Sequence, residues 1–509
     1  MHVDVLRGTS TAHLTGWANA AADQGVSTKC SGLGRPPIAL LGIAFDNLTL
    51  GEALGRIEEM IVSRRAQYVV TANVDFLVQA RGDAELQRIL LNAPLVLCDG
   101  TPLVWASRLM GNALSERVAG SDLVPELIRV AAKKHYRLFF LGTTEEVNAR
   151  AITRLRAEFP ALEISHYSPP FCPLLQMDDA EIIRRIRAAK PDLLFVAFGC
   201  PKAEKWVAMH YRELGVPVAI GVGGTIDFLA GRVKRAPRWM QRSGMEWLHR
   251  LCQEPRRLFK RYAEDLWRFA GAVVRQWWTM KLRAGGSRSQ NQTSVIQAGL
   301  NWQRVQASSF LNKDSVVRDA ARWKELADAD RHCLLELEGA KLMDSTGLAM
   351  LLHLKKQLRQ SGRHLVLLSP SSAIRRGLKA MRLVEFFDIA TDALEARALI
   401  EARVRERCTF IEGDFNGPIA WLGEITTTNA EQIWQSTWAG INRAHSKAES
   451  WIIDLAAVRF MDSGGVKVLL RAVEIARSCG ICLRFSDPSE PVRNVLRVAQ
   501  LEHLLEQFA

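Results

Sequence analysis

The sequence predicts an α/β protein: a parallel sheet with helices on both faces, followed by two copies of a smaller α/β module. Three observations carry this. Between Ile38 and Phe228, short runs that are apolar throughout alternate with helix-length amphipathic stretches, the pattern of strands buried on both faces. The C-terminal part repeats itself: Met343-Asp-Ser345 returns at Met461-Asp-Ser463, Ser361-Gly362 aligns with Cys479-Gly480, and Leu383 aligns with Leu501, always offset by 118. A period this long, present twice, marks duplicated domains and not a solenoid. Finally, 509 residues with 48% hydrophobic and 24% charged side chains are ordinary globular composition for three or four domains, which excludes a disordered or collagenous chain.

Residues 1–35 mix Gly, Ser, Thr and Ala without periodicity and lack the apolar core of a secretory signal, so a flexible leader is expected there. The α/β domain is assigned to 36–231, with apolar runs at 38–42, 68–73, 95–99, 137–142, 193–199 and 217–221. Residues 232–283 form a basic appendage. It holds fourteen Lys or Arg against four acids, +10 of a whole-chain +13, and five of the fourteen tryptophans: Trp239, Trp247, Trp267, Trp277 and Trp278. Cations interleaved with indoles suit a phosphate-rich partner or an anionic membrane surface. No nucleic-acid-binding motif accompanies them, so nucleic acid is not an expected partner. A flexible linker follows at 284–294, then the modules at 295–404 and 405–509. No apolar run reaches the ~18 to 20 residues needed to span a bilayer, and the nine cysteines show no paired framework. Reduced thiols in a cytoplasmic chain are the expectation.

In an open α/β sheet, ligands bind at the carboxyl ends of the strands. The polar residues that interrupt the apolar runs fall at those ends: Thr71 and Asn73, Asp99 with Gly100, Gly142, then Gly199 through Glu204, and Gly221 through Asp227. Gly142, Gly199, Gly221, Gly223 and Gly224 would let a nucleotide diphosphate approach the backbone closely. Asp99 has two readings that position alone does not separate, an N-cap for the next helix or a general base. No Asp-x-Asp pair and no His/carboxylate cluster stands at these ends, so no metal is expected. Arg117 and the appendage would supply the countercharge.

Seven segments in order resemble the TagA/WecG/CpsF family of bacterial glycosyltransferases: Thr71-Ala-Asn73, Asp99-Gly100, Glu116 through Asp122, Phe140-Leu-Gly142, Phe198 through Trp206, Gly221 through Phe228, and Arg235 through Arg257. The resemblance implies a Rossmann-like domain that moves an N-acetylmannosamine-type sugar from a UDP donor to a polyprenyl-diphosphate-linked acceptor. It implies inversion without metal or other cofactor, at the inner face of the cell membrane. It casts Asp99 as base and Thr71, Asn73, Arg117, Gly142, Gly199, Pro201, Lys202, Glu204, Gly221, Gly223, Gly224, Asp227, Arg235, Arg250 and Arg257 as substrate-binding. One departure stands out: where the family usually has Gln in its Pro-Lys-x-Glu motif, this chain has Ala203.

The duplicated modules resemble the STAS domain through Met343-Asp-Ser-Thr-Gly347 and Met461-Asp-Ser-Gly-Gly465. That likeness implies regulation or docking through a kinase or anti-sigma-type partner, with Ser345, Thr346 and Ser463 as candidate phosphorylation positions. The same Asp-Ser steps are equally good helix caps. Trp421, Trp434, Trp438 and Trp451 read as packing aromatics. A rival to the enzyme is a partner-switching scaffold with a degenerate, ligand-sensing transferase domain. Self-association is left open.

Overall fold

The computed structural model describes residues 35–233, 236–237, 239–240, 245–253, 255–281, 294–298, 302–407, 419–444 and 450–506. The leader up to residue 34, Arg235, the side chains of Arg250 and Arg257, and all of the linker before Ser294 lie outside the described residues.

The chain opens with a hairpin, β1 (Ile38–Leu40) against β2 (Ile43–Phe45). Its two-residue turn places Leu41 and Gly42 at φ 50° and 87°, the positive values that match a tight hairpin to strand twist. Six parallel strands follow: β3 (Gln67–Ala72), β4 (Leu95–Cys98), β5 (Leu138–Gly142), β6 (Ile164–Tyr167), β7 (Leu193–Ala197) and β8 (Val218–Gly221), ordered β4-β3-β8-β7-β5-β6. Strands β3, β5 and β7 are apolar almost throughout because both faces are covered. Helices α1 (Leu50–Val62), α5 (Gly120–Lys134), α6 (Glu145–Glu158) and α9 (Thr225–Leu229) supply one face. Helices α2 (Val74–Ala80), α3 (Ala84–Asn92), α4 (Thr101–Leu109), α7 (Asp179–Ala189) and α8 (Lys202–His210) lie on the other.

The appendage forms the helices Glu246–Gln253 and Pro255–Lys281. The longer one packs on α2, and its buried Gln276 serves the hairpin backbone. Its Oε1 accepts from Leu41 N at 2.8 Å, and its Nε2 donates to Ala39 O at 3.2 Å.

In the first C-terminal module, the strands Asp388–Ala390, Leu365–Leu368, His332–Glu336 and Trp302–Gln306 run parallel, and Ser294–Ala298 joins Trp302–Gln306 antiparallel. In the second, the strands Ile419–Ala420, Ser450–Asp454 and Cys482–Ser486 are parallel. The duplication is geometric as well as sequential. Asp344 Oδ1 accepts from Thr346 N and Gly347 N at 2.8 Å to cap the helix Ser345–Gln360, and Asp462 Oδ1 accepts from Gly465 N at 3.0 Å to cap Ser463–Ser478. The glycine at the same place in each motif is sterically required. A Cβ on Gly347 would lie 2.0 Å from Leu311 O, and one on Gly465 would lie 2.9 Å from Ile425 O.

Neither module stands apart from the α/β domain, as an eleven-residue linker alone would have allowed. The hydrophobic core runs without interruption from the β1–β2 hairpin, α2, α3 and α8 into the helix Ser345–Gln360 of the first module. A Cβ on Gly42 would meet Met381 O at 2.8 Å. Polar contacts complete the seam: Asn112 Nδ2 donates to Asp344 Oδ2 and Ser345 Oγ at 3.0 Å, and Lys356 Nζ to Pro94 O at 2.8 Å. The second module docks on α3. Glu85 accepts from Ser463 N and Ser463 Oγ at 2.7 Å, and Arg88 pairs with Glu424 at 2.5 Å while lying over the Phe460 ring.

The three candidate phosphorylation positions, Ser345 (1% exposed), Thr346 and Ser463 (7%), are buried at these seams, with the Ser463 hydroxyl donating to the Glu85 carboxylate. Of the four tryptophans read as packing aromatics, Trp421, Trp434 and Trp451 are buried and Trp438 is 45% exposed.

Candidate functional site

The carboxyl ends of β4, β3 and β8 lie side by side, and this edge of the sheet is the candidate cleft. Asp99 follows β4, its N–H bonded to Ala72 O of β3 at 2.9 Å. The next helix, α4, is capped by Gly100 with no side-chain bond, so Asp99 does not cap the helix it precedes. Its Oδ2 instead accepts from Gly120 N, the first amide of α5, at 3.3 Å. Burial pushes this carboxyl up to about 6, against the opposing pull of Arg117. A carboxylate that titrates close to neutrality while still partly open to the cleft is suited to proton abstraction.

Around it stand the hydroxyls. A Cβ on Gly120 would lie 3.5 Å from Thr71 Oγ1 and 3.6 Å from Thr225 Oγ1, so the two threonines face the same small space beside Asp99. Asn73, at the end of β3, caps α2 by accepting from Phe76 N at 3.3 Å, with its Cβ 3.9 Å from the Cβ direction of Gly100. Arg117 is held by two acids, Asp122 at 2.7 Å and Glu246 at 2.9 Å. Glu246 belongs to the appendage, so the basic tail is tied to the cleft through this arginine.

Along the β8–β7–β5 edge the predicted residues divide. Glu204, on α8, is buried with Oε2 lacking a hydrogen-bond partner among the described residues, and burial first, then Asp75, pushes its carboxyl up to about 7. It lies against β8, since a Cβ on Gly221 would stand 2.5 Å from Glu204 Oε1. Gly199 and Gly223 take φ of 79° and 49° with open space where a Cβ would sit, as a closely approaching ligand needs. Gly224 begins α9, and Asp227 in its first turn lies 3.8 Å from Arg232. Pro201 follows a cis peptide bond.

Two predicted residues have local jobs instead. Gly142 is demanded by packing, because its Cβ would come within 2.9 Å of Ala197 O and the Phe198 ring. Lys202 turns its ammonium to Cys172 O and the rings of Phe171 and Phe198. Ala203, the departure from the motif, is buried in the core beside Trp206. Sequence reasoning did not place Gly120, Thr225 and Glu246 in the site. The signal for all three was their position inside family-like runs, Gly120 within 116–122, Thr225 within 221–228 and Glu246 within 235–257.

The glycosyl transferase WecG/TagA/CpsF family model matches residues 38–283. An N-acetylglucosaminyldiphosphoundecaprenol N-acetyl-beta-D-mannosaminyltransferase of Bacillus spizizenii is 35% identical over 193 residues, which cover 38% of this chain and 74% of that protein. The chain belongs to the WecG/TagA/CpsF family. A Staphylococcus aureus (strain MW2) protein of the same description is 29% identical over 223 residues, 43% of this chain and 86% of the relative. As a WecG/TagA/CpsF member the chain is a glycosyltransferase, and two STAS-type models match the remainder, at 305–396 and 419–506.

Proposed function

We propose that this WecG/TagA/CpsF protein transfers an N-acetylmannosamine-type residue from a UDP donor, with inversion and without a metal, to a polyprenyl-diphosphate-linked sugar in surface or exopolysaccharide assembly. The observation that carries the reading is Asp99. Its pKa of about 6 leaves it ionised at neutral pH yet basic enough to take a proton. In the mechanism, Asp99 removes the acceptor hydroxyl proton as that oxygen attacks the anomeric carbon, while Thr71, Thr225 and Asn73 line the approach. Inversion follows from a single displacement, because the departing diphosphate and the incoming oxygen occupy opposite sides of that carbon. The leaving charge is met by the amide-rich turns at Gly199 and Gly223 and by Arg117, already positioned by Glu246.

The acceptor's lipid accounts for the tail. No helix among the described residues is long and apolar enough to cross a membrane. The helix Pro255–Lys281 nonetheless exposes Phe259, Leu266, Trp267 (82%), Val274 and Trp278, bordered by Arg256, Lys260, Arg268 and Arg275. An apolar stripe flanked by cations is the makeup of a helix lying in an anionic membrane surface. A screen of UDP-sugars with the purified chain and a short-chain lipid diphosphate sugar tests the reading; no turnover with any donor would leave the ligand-sensing scaffold as the better account.

A further inference from the structure

The charged groups beneath the second STAS module do not belong to the module alone. Glu85 accepts from Ser463 N and Ser463 Oγ, and the same carboxylate also pairs with Lys205 Nζ at 2.9 Å; Asp83 takes the other side of that ammonium at 2.7 Å. Asp179 accepts from Lys467 of the module, and its other oxygen accepts from Trp206 Nε1 at 2.9 Å. His210 lies 3.3 Å from Asp179. Lys205, Trp206 and His210 are all on α8. The residue just before Lys205 is Glu204, the buried carboxyl packed against Gly221 at the end of β8.

We propose that the second STAS module is a positioning element of the transferase: by seating Ser463 on Glu85 and Lys467 on Asp179, it completes the ion cluster that fixes α8 and so sets Glu204 and the 199–204 turn at the sugar-nucleotide edge of the cleft. The physical case rests on burial. Glu85, Asp83 and Lys205 are all nearly inaccessible, and buried charges persist only when every lone pair and proton is matched. Withdrawing the module would leave Glu85 without two of its donors and Asp179 without Lys467, so the cluster would rearrange or take up water. Two of its helix-side members, Lys205 and Trp206, are one and two residues from Glu204. The module's recognition turn thus serves an internal partner, the α3–α8 face of the same chain.

The inference rests on the transferase reading for its functional arm only. In the full chain, Ser463→Asp sets a new carboxylate against Glu85. Hydrogen exchange should accelerate in both 463–478 and 202–210, and the Kd for UDP, measured by calorimetry, should rise about 2- to 30-fold. Because Ser463→Asp could simply unfold the module, a second perturbation uses the Arg88–Glu424 pair at the rim. Glu424→Arg should give the same two exchange changes, and Arg88→Glu/Glu424→Arg should restore slow exchange and UDP affinity together. Faster exchange in 463–478 with 202–210 unchanged would overturn the coupling, as would failure of the charge swap to restore 202–210. If the wild-type chain binds no UDP, the donor assignment fails while the exchange of 202–210 still decides the positioning role.

Discussion

Replacing Asp99 by Asn separates a base from a cap because the two roles predict opposite balances of activity and stability. Asn and Asp are equivalent as helix caps, so a capping role predicts little change in either. A base role predicts turnover lower by ~10² to 10⁴-fold. The shift from 3.8 to about 6 corresponds to roughly 3 kcal/mol of disfavoured charge, which the carboxylate's partial exposure reduces to about 1 to 2 kcal/mol. The folded state holds this proton more tightly than the unfolded chain does, so the stability it contributes is full below about pH 3.8 and is lost as pH rises through about 6. Asp99→Asn should therefore melt higher than wild type at pH 8, and the difference should vanish below pH 4. In the wild type, kcat/KM should fall about tenfold between pH 7 and pH 5, as the ionised fraction drops. The assay is transfer of labelled sugar to a lipid diphosphate acceptor across pH, paired with thermal denaturation of both proteins. A flat profile from pH 7 to 5, with the Asn variant turning over normally, refutes the base.

Other consequences are equally direct. Gly221→Ala would drive a Cβ to 2.5 Å from Glu204 Oε1; it should lower stability by about 1 to 3 kcal/mol in denaturant unfolding and depress turnover with it. Gln276→Ala removes both bonds to the hairpin backbone and should cost about 1 to 3 kcal/mol by the same measurement. Trp267→Ala, at an exposed position, should leave stability unchanged while weakening co-sedimentation with anionic vesicles about tenfold, and the wild-type binding should itself weaken as salt rises. Burial, with Lys356 close by, holds the His353 imidazole well below its ordinary 6.5 between the first module and Asp46 and Arg56 of the transferase. The stability contributed by neutral His353 is full above 6.5 and is lost as pH falls below it, so thermal denaturation at pH 5 should show a deficit that His353→Leu abolishes.

The parallel sheet was legible because apolar runs such as 193–197 admit no solvated face, and the two modules because 118 residues separate each repeated motif. The cleft was legible as far as strand ends dictate it: Thr71, Asn73 and Asp99 meet where β3 and β4 finish. What the sequence could not convey is where a polar side chain turns when several partners compete. Lys202 finds a carbonyl and two rings instead of the cleft. Asp99 bonds an amide 21 residues away and not the helix it precedes. The docking of the modules was hidden for a related reason. Glu85, Arg88, Ser463 and Lys467 are residue types of a solvated surface, and only their long-range pairing makes them an interface.

The core shared between the opening hairpin and the helix Ser345–Gln360 also constrains how the chain is made. Part of the apolar cover of residues 38–45, the helix Ser345–Gln360, is made about 300 residues after them, which at ordinary synthesis speeds is roughly 15 to 60 s of waiting. During that interval the face of the hairpin that this helix covers offers apolar side chains to any neighbour. Nascent chains of this protein are therefore expected to engage holding chaperones until the first module emerges, and a ribosome stalled after the transferase domain should release an aggregation-prone product.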